Sequence, residues 1–389
     1  MTKRASAATP KRDTKLGTWY FVVDLPSGEK RRQARRSGFR TREAAQEALD
    51  ELRGSVRAGT FVEPAKLTLG EYLRLWLDGL AVAGRRPTTI DGYRRTLERH
   101  VIDAEIGRIP IQSLSAPDLD RLYSHLRIAG RRDGKGGLSL RTVRYIHAIL
   151  SKALGDAERK GVIARNPARL ASPPAAASTR APEATVWTPE QLRSFLSGVS
   201  DHHHGALIRV AAMTGLRRGE LCGLRWSDVD FSTSRLTIRR TITTIDHRPV
   251  IGDVKTARSR RVVDVDAETM ATLRHHRSTQ IEHRLALGSG YADEDVVFAM
   301  VDGRPWNPDT ITQAFDRLVR ARDDLPRIRL HDLRHTHATH LLAAGVNVKV
   351  VSDRLGHASV AFTLDTYGHV MPGQQADAAA EVAALVDGL

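Results

Sequence analysis

The chain is short of several things that would place it elsewhere. It contains one cysteine, Cys222, so no internal disulfide can form and a reducing compartment is the expectation. Its opening stretch, MTKRASAATPKRDTK, is polar and charged. That stretch lacks the apolar region of a secretory signal. No apolar run approaches the length needed to cross a bilayer. Negative charge is also in deficit: Lys and Arg number 60 against 45 Asp and Glu, a formal net charge of +15. A globular chain this basic is expected to meet a polyanion, most often nucleic acid. The expectation is therefore a soluble, cytoplasmic, nucleic-acid-binding protein, and its 389 residues leave room for two or three domains.

What is present divides along the chain. Residues 1–15 read as a disordered basic arm. GTWYFVVDL (17–25) is rich in aromatic and β-branched residues and predicts a strand. PSGE predicts a turn, and KRRQARRSGF (30–39) predicts a second strand carrying Lys30, Arg31, Arg32, Arg35 and Arg36. An Ala/Glu/Leu-rich helix follows over 41–59, with Thr41 as its N-cap. This small α+β domain, 16–62, can press a basic strand into a DNA groove. A solvated edge strand kept soluble by its charges is the plainer alternative.

From Thr68 the periodicity is helical. Capping signals at Thr68–Glu71 and Ser115–Asp118, with further helix starts near Thr88 and Ser139, predict a four-helix bundle over 66–165. Arg85, Arg86, Arg131, Arg132 and Arg141 lie on its loops and helix ends, suited to contact phosphates. The Pro/Ala/Ser-rich stretch within 166–186 predicts a linker. A capping box at Thr188–Gln191 opens a last domain, 187–389, mainly helical with a β insertion at about 235–265. The expected fold class is thus multidomain and mostly α with small β elements.

Three stretches of the last domain carry chemistry. In MTGLRRGELCGLRWSDVD (213–230), Gly215 breaks one helix and RRGELCGL starts another, which sets Arg217 near backbone N–H groups. An anion site and a simple pairing with Glu220 are both open. IRLHDLRHTHATHLLAAG (328–345) holds His331, His335, His337 and His340 with Arg329 and Arg334. On a helix His331 and Arg334 share a face. Zinc would ask for acidic or cysteine partners at spacings this stretch lacks. HHH at 202–204 reads as a surface loop. VSDRLGHASVAFTLDTYGHV (351–370) ends a helix at Gly356 and offers Tyr367 on a short further helix.

TGLRRGEL (214–221), KTARSRRVV (255–263), HDLRHTHATHLL (331–342), RLGHASV (354–360) and DTYGHV (365–370), taken in this order, resemble the signature boxes of the tyrosine recombinases, or phage integrases. The first domain resembles an arm-type DNA-binding domain and the bundle a core-binding domain. The step from His357 to Tyr367 is slightly longer than in many members, which leaves the helical register at Tyr367 open.

The resemblance implies a site of Arg217, Lys255, His331, Arg334, His357 and Tyr367. Two arginines would clamp the non-bridging oxygens of a scissile phosphodiester. Tyr367 would be the nucleophile and keep the DNA as a phosphotyrosine link. Lys255 would protonate the leaving 5′ oxygen, and His331 and His357 would hydrogen-bond the phosphate. No metal or other cofactor is implied, since cutting and joining are isoenergetic. The implied partners are core and arm sites on double-stranded DNA, a homotetramer acting through a Holliday junction, and possible host bending and excision factors. VAALVDGL (382–389) would dock on a neighbouring protomer. The rivals are a catalytically silent DNA-binding regulator, a type IB topoisomerase and a chromosome-dimer resolvase. An altered arginine or absent tyrosine would mark the first, and the basic strand argues against the second.

Overall fold

A computed structural model describes residues 9–25, 32–57, 66–131, 133–179, 184–246, 248–253, 260–368 and 382–386. The chain divides into two compact units, Met1–Ala181 and Pro182–Leu389.

In the first unit, β1 (Lys11–Asp13), β2 (Thr18–Leu25) and β3 (Arg32–Phe39) form an antiparallel sheet in that order. Helix α1 (Arg42–Arg57) covers one face, burying Phe21 against Leu49 and Leu52. Thr41 caps it by accepting the amide of Ala44. Because side chains alternate along a strand, Tyr20 and Val22 point away from α1. Arg35 pairs with Val22 across the sheet, and its guanidinium lies 4.4 Å from the Tyr20 ring centroid. Strand β1 corrects the expectation of a disordered arm through residue 15. The Asp13 carboxylate accepts the amides of Lys15 and Leu16, closing the turn that folds Lys11–Asp13 onto β2.

The bundle consists of α2 (Leu69–Val82), α3 (Pro87–Leu97), α4 (Ala116–Ala129) and α5 (Leu140–Arg159), with a π-helical turn Glu98–Ile102 extending α3. The capping boxes at Thr68–Glu71 and Ser115–Asp118 are formed. Leu73, Leu77, Leu97, Leu119, Ile146 and Leu150 fill the core. Tyr72 donates its hydroxyl to the Ala153 carbonyl and Trp76 its indole N–H to Asp156, so each amphipathic ring leaves no buried donor idle. The stretch expected to be linker from residue 166 begins as part of this core. Ala168 is buried, Asn166 bridges the Ser151 carbonyl and the Ala168 amide, and Arg144 donates to the Pro174 carbonyl. Proline and alanine there supply turn geometry and small apolar surface rather than free chain.

The second unit runs α6 (Pro189–Gly198), α7 (Gly205–Thr214), α8 (Arg218–Cys222), β4 (Val229–Asp230), β5 (Arg235–Ile238), β6 (Arg240–Ile245), β7 (Arg248–Asp253), β8 (Arg261–Asp264), α9 (Ala267–Leu287), α10 (Pro308–Arg320), α11 (Asp332–Ala343), α12 (Val348–Leu355) and α13 (Val360–Tyr367). The strands make two small antiparallel sheets, β4-β5-β8 and the β6–β7 ribbon. Trp187, Phe195 and Phe315 anchor the main core, and a smaller cluster of Ala338, Leu342, Val351, Leu355 and Tyr367 holds α11, α12 and α13 together. His204, expected on a surface loop, is instead buried at the start of α7 with its ring edge against Trp306. Burial brings its pKa down to about 3.

Candidate active site

Two left-handed glycines shape the site. Gly215 ends α7 at φ 64° and Gly356 ends α12 at φ 66°, a conformation that costs any residue with a Cβ. A Cβ on Gly215 would also lie 2.6 Å from a Leu355 methyl carbon. These turns bring the Gly215, Leu355 and Gly356 carbonyls close to two arginines. Arg334, in the first turn of α11 and only 4% exposed, donates to the carbonyls of Gly215 and Leu355, each at 2.7 Å. Arg217, entering α8, donates to the Gly356 carbonyl at 2.9 Å. Burial, then the nearby Arg217 charge, lowers the Arg334 pKa to about 9. Glu220 and the backbone carbonyls offset part of that cost.

The buried Glu220 carboxylate organises the cationic side. It accepts the Arg217 amide and one Arg217 guanidinium N–H, both at 2.9 Å. It also takes a bidentate pair from Arg261 at 2.9 and 3.1 Å, while Arg261 Nε donates to the Arg354 carbonyl at 2.7 Å. The pairing of Arg217 with Glu220 that the sequence left open is therefore present, and it leaves Arg217 beside Arg334. Despite its burial, Glu220 has a pKa held below the usual carboxylate value by its bonds to Arg261 and Arg217. Arg261 opens β8, next to residues 254–259.

The four histidines of 328–345 separate into two pairs. His337 accepts from Arg354 Nε at 3.0 Å, and His340 bonds the Trp187 carbonyl at 2.9 Å. Both tie α11 to its neighbours. His331, the N-cap of α11, and His335, one turn on, face each other edge to face at 5.2 Å. Tyr367 reaches this second pair from the end of α13. Its hydroxyl lies 2.8 Å from His335 Nδ1. His357 stacks parallel to the Tyr367 ring at 6.4 Å, and its Nδ1 bonds the Thr363 hydroxyl at 2.7 Å. Tyr367 is 3% exposed, and burial pushes its phenol up to about 12, with Arg334 pulling the other way. Burial and the charges of Arg334 and Arg217 bring His357 down to about 3, so it is neutral at pH 7.

Arg217, His331, Arg334, His357 and Tyr367 thus stand at the adjoining ends of α7, α8, α11, α12 and α13. Lys255 lies outside the described residues, as do Lys30, Arg31 and Arg132. Arg32 is placed as backbone in β3. Arg35, Arg36, Arg85, Arg86, Arg131 and Arg141 are exposed. Arg131 is bound to Asp133 through two hydrogen bonds, so part of its charge is spent locally. Sequence reasoning passed over Glu220, Arg261 and His335 as members of the site. The only signal for His335 was its place one residue after Arg334, in a run where it read as a possible metal spacing.

Residues 186–373 match the phage integrase family and residues 10–56 match an arm DNA-binding domain. A "Tyrosine recombinase XerC-like" of Caldanaerobacter subterraneus subsp. tengcongensis is 27% identical over 94% of this chain and 96% of its own length. The ICEBs1 integrase of Bacillus subtilis is 27% identical over 76% of this chain and 77% of its own. The integrase of Mycobacterium phage L5 is 29% identical over 75% and 73%. In fold, the chain is similar to the Tn1549 transposon integrase solved with a circular intermediate DNA, at a TM-score of 0.62 with 22% identity over 77% of this chain and 95% of that one. It is also similar to a lambda integrase dimer solved on a COC′ core site, at a TM-score of 0.54 with 15% identity over 96% and 97%. The chain carries the phage integrase family's domain over residues 186–373. It is a tyrosine site-specific recombinase, an enzyme that cuts and rejoins double-stranded DNA by transesterification.

Proposed function

We propose that Tyr367 is the nucleophile and that Arg217 and Arg334 clamp the scissile phosphate. The observation that carries this reading is the Tyr367 hydroxyl placed beside His335 and His357, at the meeting of the helix ends that hold both arginines. As the phenol oxygen attacks, charge grows on the non-bridging phosphoryl oxygens, and two guanidiniums stabilise it more in the transition state than in the ground state. The 3′ phosphate is transferred to tyrosine, and the 5′ oxygen leaves with a proton from Lys255. His331, whose pKa burial brings down to about 4, and His357 hydrogen-bond the phosphate as neutral imidazoles. Reversal by a 5′ hydroxyl from a second duplex exchanges strands and builds a Holliday junction. The work of this enzyme is then integration or excision of a mobile element, by a homotetramer on two duplexes. A host DNA-bending protein and an excision factor are the accessory partners to look for, and the nucleoid is the expected location.

The small sheet of β1–β3 binds arm sites through Arg35, Arg36 and the basic residues around 30–32, and the α2–α5 bundle holds the core site. A nicked suicide duplex from the DNA flanking the gene tests the chemistry. Wild-type protein is expected to give a covalent band on a denaturing gel, and Tyr367→Phe none, with both shifting the duplex equally on a native gel. A shift without any wild-type band would overturn the reading in favour of a silent regulator.

A further inference from the structure

Once the arginines and Tyr367 are assigned, the nucleophile's proton still needs a destination. A phenol held near 12 is almost wholly protonated at pH 7. Among the described residues, His335 and His357 pack on it and His331 packs on His335. His357 presents its ring face, parallel to that of Tyr367 within 10°, and its Nδ1 is engaged with Thr363. His331 is edge-on to His335. Among the described residues, His335 alone sets a ring nitrogen on the phenol oxygen, at 2.8 Å. That distance suits proton transfer without rearrangement. The placement follows from α11. Arg334 and His335 are consecutive, so their side chains diverge by about 100° around the helix. One goes to the carbonyls beneath the phosphate clamp and the other to the tyrosine.

We propose that His335 is a catalytic residue, the base that takes the Tyr367 proton through Nδ1. In the step, the phenol O–H bond breaks and its hydrogen passes to Nδ1 of an imidazole carrying its own hydrogen on Nε2. The freed electron pair of the phenol oxygen forms the P–O bond, and the bond from phosphorus to the 5′ oxygen breaks. The leaving oxygen takes a different proton, from the general acid. The charges facing His335 are set for this. Burial keeps the imidazole neutral at rest. Asp332 favours the imidazolium once formed, while Arg334 and Arg329 oppose it and hasten its later deprotonation. His331, packed against the His335 ring, is the next acceptor outward.

This rests on Tyr367 as nucleophile, and the test separates the two claims. The probe is a nicked duplex carrying the core site that wild-type protein selects from a random-sequence duplex library. Single-turnover formation of covalent protein–DNA is timed between pH 5.5 and 9.5 for wild type, Tyr367→Phe, His335→Ala and His335→Asn. Asparagine places a hydrogen-bonding group near the Nδ1 position but is not a base. The expected result is a loss of about 100-fold or more at pH 7 in both His335 variants, the lower end of what a positioned base contributes. Their rates should climb with pH as hydroxide takes over, and the native shift should be retained. Asparagine within about threefold of wild type would overturn the proposal and leave a positioning role. So would a slow variant whose rate does not respond to pH differently from wild type. If His335→Ala fails to shift the probe, His335→Asn alone decides. A covalent product with Tyr367→Phe would overturn the nucleophile assignment, and this proposal with it.

Discussion

Arg217 and Arg334 hydrogen-bond consecutive carbonyls of one helix end, Arg217 that of Gly356 and Arg334 that of Leu355. Both cations therefore sit at the negative end of α12, which helps to hold two like charges side by side. A lysine at either position keeps the charge but loses the fork that, in the proposed clamp, reaches a carbonyl and a phosphate oxygen together. Arg334→Lys is expected to slow single-turnover cleavage by about 100- to 1,000-fold, with the native shift on site DNA little changed. Cleavage within threefold of wild type would remove Arg334 from the clamp.

Glu220 holds both Arg217 and Arg261, and the Arg261 side chain is only 6% exposed. Replacing Glu220 by Ala leaves a buried guanidinium without its counter-charge. The expected cost is about 3–5 kcal/mol in urea unfolding. Glu220→Gln keeps an acceptor and should cost less. Equal, small losses in both would mean that the carboxylate's charge contributes little.

The buried histidines set an acid limit on stability. His204 and His357 have folded pKa values of about 3, below the unfolded value of about 6.5. The unfolded state then binds more protons at intermediate pH. Their contribution is complete above about pH 6.5 and is lost as pH falls toward 3. Each can steepen the fall by at most about 1.4 kcal/mol per pH unit. Melting temperature should drop clearly between pH 7 and pH 5, and His204→Leu should flatten that drop. A Tm independent of pH in this window would contradict the burial of these rings.

Gly215→Ala meets both a left-handed backbone and the Leu355 side chain at 2.6 Å. It should cost more than the about 1–2 kcal/mol of the backbone conformation alone. It should also slow cleavage, because the Gly215 carbonyl backs Arg334. Gly134→Ala is the control. Its φ is 67° with nothing within 4 Å of an added Cβ, so it should pay for the backbone only.

Much of this was legible in the sequence where one local rule decided the outcome. Thr68–Glu71, Ser115–Asp118 and Thr188–Gln191 announced their helices because capping is a matter of three-residue spacing. Gly215 and Gly356 marked helix ends because few other residues accept a left-handed backbone. The members of the site that went unread depend on tertiary approach. Arg261 finds Glu220 from 41 positions away, and His335 meets Tyr367 across 32. Nothing in the stretch HDLRHTHATH distinguishes His335, which faces the tyrosine, from His340, which bonds the Trp187 carbonyl. His204 was misread for the same reason, since a polar triplet looks exposed until Trp306 is folded over it. Strand β1 escaped notice because its three residues are strand only while β2 lies beside them.

The acceptors behind the two arginines are main-chain oxygens of Gly215, Leu355 and Gly356. No side-chain replacement can delete a peptide carbonyl. This backing of the clamp therefore depends on how the chain turns there and on no side-chain acceptor. A change in either turn should disarm the site without replacing either arginine or the tyrosine.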